Sequence, residues 1–489
     1  MKNPHVLLIP YPAQGHVLPL MEVALHLVKY GFKTTFVNSE FIHERVIKSM
    51  PETDNVRKLI KMVSLPDGLE SSDDRSDTGK LWASIVRVMP GEIKVLIERI
   101  NGSESDKSSC IIAETSLGWA IEVAEKMGIK KVAFWPAASA LFALLFKIPS
   151  LIDEGIIDSE GTPMKNQIIQ LSQAMPPMKT IDFFWNRLGD EAEQKLFFKL
   201  LVKNMQSVKS SDTLICNSSD WLEPGTFALF PDILPIGPLL ASNRLGKSAG
   251  SFWQQDSRCL SWLDQQPRNS VIYVAFGSFT VFDKNQFKEL ALGLELTKRP
   301  FLWVVRENTT EDVDNAYPIG FRERVQNWGR MVAWAPQQNV LSHPSIACFI
   351  SHCGWNSTIE GISSGVPFLC WPYFSDQMFN QSYICDCLKI GLKLNKDDGG
   401  IIRHEEINNK LEQLLGNERF KKLALDLQSN VLNSIREGGS SYNNFKDLVA
   451  AGAHCFRFWS MIEPPVIAAQ LWKSLAIAEM VNCGTAVQQ

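Results

Sequence analysis

Residues 347–361, ACFISHCGWNSTIEG, combine the groups that can hold an anion. A buried apolar run ends there in a glycine turn, and Asn356 or Ser357 is suited to cap the helix that follows. The first N–H groups of such a helix, with the positive end of its dipole behind them, form a ready site for a diphosphate. The ring of His352 falls where it could donate to the same anion, and Glu360 falls about one turn into the helix, where a carboxylate accepts two ribose hydroxyls. Taken alone, the pattern also describes an ordinary capped strand-turn-helix.

The elements around it explain why those groups would converge. Short β-branched runs at 6–9, 33–38, 110–113, 131–135, 213–217 and 233–236 alternate with amphipathic stretches such as 18–30 and 119–127. After a polar, small-residue segment at 241–251, a second set follows at 270–276, 301–306, 330–334, 347–351, 367–371 and 391–394. The alternation predicts two doubly wound α/β domains, whose ligands bind beyond the carboxyl ends of the strands. The span 150–211 reads as helical with Pro176 and Pro177 in the middle; Phe183, Phe184, Trp185, Phe197 and Phe198 within it suit either core packing or an apolar pocket.

Competing chemistries find less support. The chain holds no Gly-x-Gly-x-x-Gly, and Gly246-Lys247-Ser248 lacks the leading glycine of a P-loop because Ala241 stands there. Asp312-Val313-Asp314 has the form of a metal-binding Asp-x-Asp, but its acidic surroundings fit a solvated loop. The 49 basic against 53 acidic residues leave a net charge of −4, which excludes broad attraction to nucleic acid or anionic lipid. Ten cysteines without a Cys-x-x-Cys read as reduced core thiols, so a cytoplasmic protein is expected. The apolar run at 6–10 is too short for a signal peptide, and no window approaches the ~20 apolar residues of a membrane span.

Over the 44 residues from Trp334 to Gln377, the spacing of Trp334-Ala335-Pro336-Gln337, His343-Pro344, His352 to Thr358, Gly365-Val366-Pro367 and Trp371 to Gln377 closely resembles the signature box of plant UDP-dependent family-1 glycosyltransferases. Pro12 to His16, Phe276-Gly277-Ser278, Pro235 to Pro238 and Glu437 to Ser441 resemble further family features, so the resemblance spans residues 1 to about 450. It implies a GT-B fold of two Rossmann-like domains facing a cleft: an acceptor domain at 1–240, a linker at 241–258, a UDP-sugar domain at 259–435, a helix at 436–450 packing back toward the first domain, and an atypical tail at 451–489.

Carried onto this chain, the resemblance implies that Trp334 stacks on uracil and the Ala335 backbone reads the base edge. Gln337 and Glu360 hold the ribose. Ser278, His352, Asn356 and Ser357 bind the diphosphate, with Gly354 allowing its close approach, and Trp355, Asp376 and Gln377 touch the sugar; Gln377 is the family's usual residue for glucose donors. His16 is the implied catalytic base, placed in a loop before a helix that begins near Leu18, and neutral histidine, with an ordinary pKa near 6.5, suits that task. The family's orienting aspartate is replaced by Glu114, which adds a methylene. The expected activity is inverting glucose transfer from UDP-glucose to a hydroxyl or carboxyl of a small lipophilic plant metabolite, by a monomer without metal or other cofactor. The rival expectation is a UDP-sugar-binding protein whose transfer is weak or absent because of Glu114.

Overall fold

The computed structural model describes residues 4–50, 56–75, 77–102, 107–240 and 250–453. Half of the expected linker, residues 241–249, and all but the first three residues of the expected tail therefore lie outside the described residues.

Two parallel sheets carry the chain. The first comprises β1 (His5–Ile9), β2 (Lys33–Ser39), β3 (Lys61–Leu65), β4 (Ser108–Glu114), β5 (Lys130–Trp135), β6 (Thr213–Cys216) and β7 (Ile233–Pro235), in the order β3-β2-β1-β4-β5-β6-β7. The second comprises β8 (Val271–Ala275), β9 (Phe301–Val304), β10 (Gly329–Val332), β11 (Ile346–Ser351), β12 (Phe368–Cys370) and β13 (Gly391–Lys393), in the order β10-β9-β8-β11-β12-β13. This is the pair of doubly wound sheets expected from the alternation. β1, β8 and β11 are buried at every position, as strands covered on both faces must be. The reading missed β3, an edge strand with only Leu65 buried, whose mixed sequence KMVSL gives no apolar run.

The helices that bear on the site are α1 (Gln14–Lys29), α2 (Ser139–Asp153), α3 (Glu191–Val208), α4 (Gln337–Leu341), α5 (Trp355–Ser363), α6 (Gln377–Ser382) and α7 (Ser440–Ala453). Between α2 and α3 the expected helix is absent: a two-residue hairpin pairs Ile168–Ile169 with Met178–Lys179, and two 3-10 turns follow. Pro176 and Pro177 remove N–H donors and restrict the residues before them, which prevents a continuous helix. Phe183, Phe184, Trp185 and Phe198 are buried together, and the Trp185 indole donates to the Gly161 carbonyl at 3.0 Å. These aromatics close a core; they do not open a pocket.

α7 returns to the first sheet. Its Phe445 and Leu448 join the buried cluster of that sheet, Phe445 packs 5.7 Å from the ring of His26, and Asn444 Nδ2 donates to the Pro235 carbonyl at 2.9 Å. Among the described residues no helix is long and apolar enough to cross a membrane.

Candidate active site

The second sheet sends β11 into a sharp turn at its carboxyl end. Cys353 takes a left-handed φ of 64°, and Gly354, extended at φ −60° and ψ 144°, is the residue before α5. Asn356 and Ser357, the expected caps, lie inside the first turn instead, so the leading N–H groups of α5 have no side-chain cap. Asn356 Nδ2 donates at 2.7 Å to the Gly15 carbonyl of the first domain, and Ser357 Oγ accepts from Gln337 Nε2 at 2.8 Å. Burial pushes the His352 imidazole down to about 4, so near neutral pH it offers a single N–H and no charge. A Cβ on Gly277 or Gly354 would stand 2.6 or 2.5 Å from His352 Nε2. Gly354 thus makes room for the imidazole, a nearer requirement than the expected approach of a phosphate.

The remaining donor-side residues form one network. Gln337 Nε2 donates to Glu360 Oε2 at 2.7 Å, Gln338 Nε2 donates to Oε1 at 2.9 Å, and Tyr273 fixes the Gln337 amide through a 3.1 Å bond to Oε1. Burial raises the Glu360 carboxyl, and the two amides partly offset that by holding its charged form. Trp334 stacks at 4.5 Å and 26° on Trp253, while its carbonyl accepts from the Asp256 N–H at 2.9 Å, and Ala335 is buried beside it. Sequence reasoning missed Gln338 and Trp253. The doubled glutamine at 337–338 signals the first; Trp253, a lone aromatic next to a polar segment, offers no spacing to read.

Ser278 follows β8 at the same carboxyl edge, half-buried. Burial raises the Asp376 carboxyl to about 6, opposed by the bond from Asn380 Nδ2 at 2.8 Å and by the field of His16. Gln377 Oε1 accepts from the backbone N–H groups of Tyr373 at 2.8 Å and Phe374 at 3.2 Å, so what its amide has left for a sugar is a donor. The Trp355 indole N–H is spent on the Asn217 carbonyl of the first domain at 2.8 Å, so what this residue keeps for the expected sugar contact is its backbone N–H at the start of α5.

His16 lies in the first turn of α1, which begins at Gln14, earlier than expected. Its Nδ1 stands 3.4 Å from Glu114 Oε2 at the end of β4, a carboxylate only 1% exposed. The other oxygen, Oε1, accepts from the hydroxyls of Thr115 at 3.0 Å and Ser116 at 3.2 Å and from the Ser116 N–H at 3.2 Å. The extra methylene is thus taken up by curling back onto the following turn. The Tyr11 ring lies 5.2 Å from that of His16, and burial together with Glu114 pushes its phenol up to about 12. Pro19 sits inside α1 and has no N–H to give the carbonyl four residues earlier, which is Gly15. That unclaimed acceptor is the one Asn356 takes.

Residues 253–432 match the family model described as UDP-glucoronosyl and UDP-glucosyl transferase. The chain is 46% identical over 460 residues to UDP-glycosyltransferase 83A1 of Arabidopsis thaliana, covering 92% of this chain and 97% of that protein. It is 32% identical to the 7-deoxyloganetin glucosyltransferase of Gardenia jasminoides, over 91% of this chain and 97% of that one. The chain belongs to the plant UDP-glycosyltransferases. The structure of a UDP-glucosyltransferase from Polygonum tinctorium capable of glucosylating indoxyl, in complex with 3,4-dichloroaniline, superposes with a TM-score of 0.77 at 28% identity, over 93% of this chain and 99% of that one. The fold of this UDP-glycosyltransferase is accordingly GT-B. Its expected donor residues gather at the carboxyl edge of the second sheet, and His16 with Glu114 at that of the first. The one described cluster of possible metal ligands, Glu289, His404 and Glu405, includes none of them; Asp312 and Asp314 are exposed, with Asp314 paired to Arg322 at 2.7 Å.

Proposed function

We infer that this glycosyltransferase moves glucose from UDP-glucose to a hydroxyl or carboxyl of a small lipophilic plant metabolite, such as a flavonoid, another phenolic, a terpenoid or a hormone. The observation that carries the reading is the bond from Asn356 to Gly15: it sets the first turn of α1, with His16, against the first turn of α5. A sugar whose diphosphate lies on the α5 N–H groups then has its anomeric carbon near the imidazole. His16 takes the acceptor proton while Glu114 holds the Nδ1 side and supports the positive charge that develops. The acceptor oxygen attacks opposite the departing UDP, and a β-glucoside results. Trp334 and Ala335 take the uracil, Glu360 with Gln337 the ribose, and Ser278, Asp376 and Gln377 the diphosphate and sugar.

Glucose is favoured by Gln377 and by the named activities of the 7-deoxyloganetin and indoxyl relatives. Leaving-group charge is met by preorganised backbone donors and the neutral His352 ring, so the reading includes no metal. Buried, unpaired thiols such as Cys110 and Cys216 favour the cytoplasm, and we take the enzyme to act as a monomer. Incubation with UDP-glucose tests the whole. UDP release that depends on a phenolic or alcoholic acceptor, and that persists with chelator, is expected. Binding of UDP-glucose without acceptor-dependent release would support the rival reading of a binding protein weakened by Glu114, and loss of all transfer with chelator would refute the metal-free step.

A further inference from the structure

Arg306 is a buried cation without a buried anion. It follows β9, is 4% exposed, and donates only to neutral oxygens: its backbone N–H to Thr309 Oγ1 at 2.8 Å, Nη1 to Asn308 Oδ1 at 2.6 Å, and Nη2 to the Thr280 carbonyl. Among the described residues no carboxylate pairs with it. Burial lowers it to about 10, which leaves it charged near neutral pH, and no acidic group contributes to its titration. Burying a cation is costly unless an opposite charge compensates it.

Its position says where that charge comes from. β8 lies between β9 and β11, so Arg306 stands at the carboxyl edge of the sheet beside the loop that follows β8. That loop runs through Gly277, Ser278 and Thr280, and is stitched to the segment after Arg306 by the Phe282 N–H donating to the Thr309 carbonyl at 2.7 Å. Gly277 closes on the His352 ring, and the Arg306 charge reaches far enough to help hold that ring neutral. The Thr280 hydroxyl is buried and unpartnered. Each of these groups flanks the place assigned to the donor diphosphate, and the inference rests on that reading.

We propose that Arg306 is a positioning residue for the donor diphosphate, a fixed cation that acts through the 277–280 loop without touching the phosphates. It supplies, from beneath the site, the counter-charge that other nucleotide-sugar enzymes draw from a metal ion, and it favours the departing UDP more than the bound nucleoside. Uridine lacks the phosphates and is indifferent to it.

Calorimetric titration with UDP and with uridine separates this role from a structural one. In Arg306→Met, UDP is expected to weaken about tenfold, or 1.4 kcal/mol, with uridine within about twofold, and Arg306→Lys to recover most of the loss. Asn308→Asp leaves the guanidinium in place and adds a carboxylate at an exposed position already bonded to Nη1; it keeps the test decisive if Arg306→Met fails to fold. It too should weaken UDP and spare uridine. Equal weakening of both ligands, or unchanged UDP binding in Asn308→Asp, overturns the proposal. Wild-type protein that binds UDP no better than uridine overturns the diphosphate assignment itself, so the two failures are distinct.

Discussion

The 3.4 Å from His16 Nδ1 to Glu114 Oε2 is longer than a good hydrogen bond, and the other carboxylate oxygen is already engaged three times by Thr115 and Ser116. An aspartate at this position can keep the bond to the Ser116 N–H, two residues on, as aspartates commonly do in turns. Glu114→Asp should therefore retain or increase kcat, measured at saturating acceptor; a large loss with unchanged melting temperature would show that the site is built around glutamate. Asp376 gives a different signature. Its carboxyl is raised to about 6 by burial, so the folded state holds a proton that the unfolded state has released between about 4 and 6. The unfolded state binds fewer protons there, and stability falls as pH rises through that window. Asp376→Asn should raise the melting temperature by a few degrees at pH 7.5, with the gain vanishing near pH 4, while transfer falls by roughly tenfold or more. A stability gain that does not depend on pH would refute the electrostatic cause.

At the scale of elements, α1 carries both the proposed base, His16, and the interface, and Pro19 couples them. Pro19→Ala restores the missing N–H, which then competes with Asn356 Nδ2 for the Gly15 carbonyl. The helix should gain about 1–3 kcal/mol, yet kcat/KM should fall severalfold; the change in activity should shrink when Asn356→Ala is already present, because both substitutions remove one contact. Additive losses in that double-mutant cycle would break the link. Such a contact shows where sequence was legible and where it was not. Continuous apolar runs announce β1, β8 and β11, and the fixed spacing from Trp334 to Gln377 marks the residues proposed to hold the donor. Partners that meet only across folded space were silent: Gly15 with Asn356, Asn217 with Trp355, Trp253 with Trp334. α1 starts at Gln14 and not near Leu18, and Pro19, which its residue type would place at a helix start, is an interruption inside the helix. β3 and the 154–190 segment failed for a third reason, since neither an edge strand nor a proline-broken connection has a clear period.

For the molecule as a whole, the question is what keeps two α/β units registered to within the tolerance that a transfer reaction demands, where a displacement of ~1 Å can be costly. Four ties meet the first domain: Gly15 with Asn356, Asn217 with Trp355, the Arg187 carbonyl with the Ser375 N–H at 3.2 Å, and α7, which leaves the second domain and buries Phe445 and Leu448 against the first. Burying two such side chains contributes roughly 3–5 kcal/mol before the helix's ordering cost, a large part of a typical domain's stability. Removing the chain after residue 435 should therefore lower the calorimetric melting temperature and uncouple the first domain's transition from the second's, with transfer lost while UDP still binds. Removing it after residue 453 keeps Asn444, Phe445 and Leu448 in place and should leave both melting and transfer unchanged. If the chain cut after residue 435 melted as one cooperative unit at the same temperature, α7 would not be the tie that its packing indicates, and the hydrogen bonds across the cleft, among them the Ser375 N–H to the Arg187 carbonyl at 3.2 Å, would have to hold the register without it.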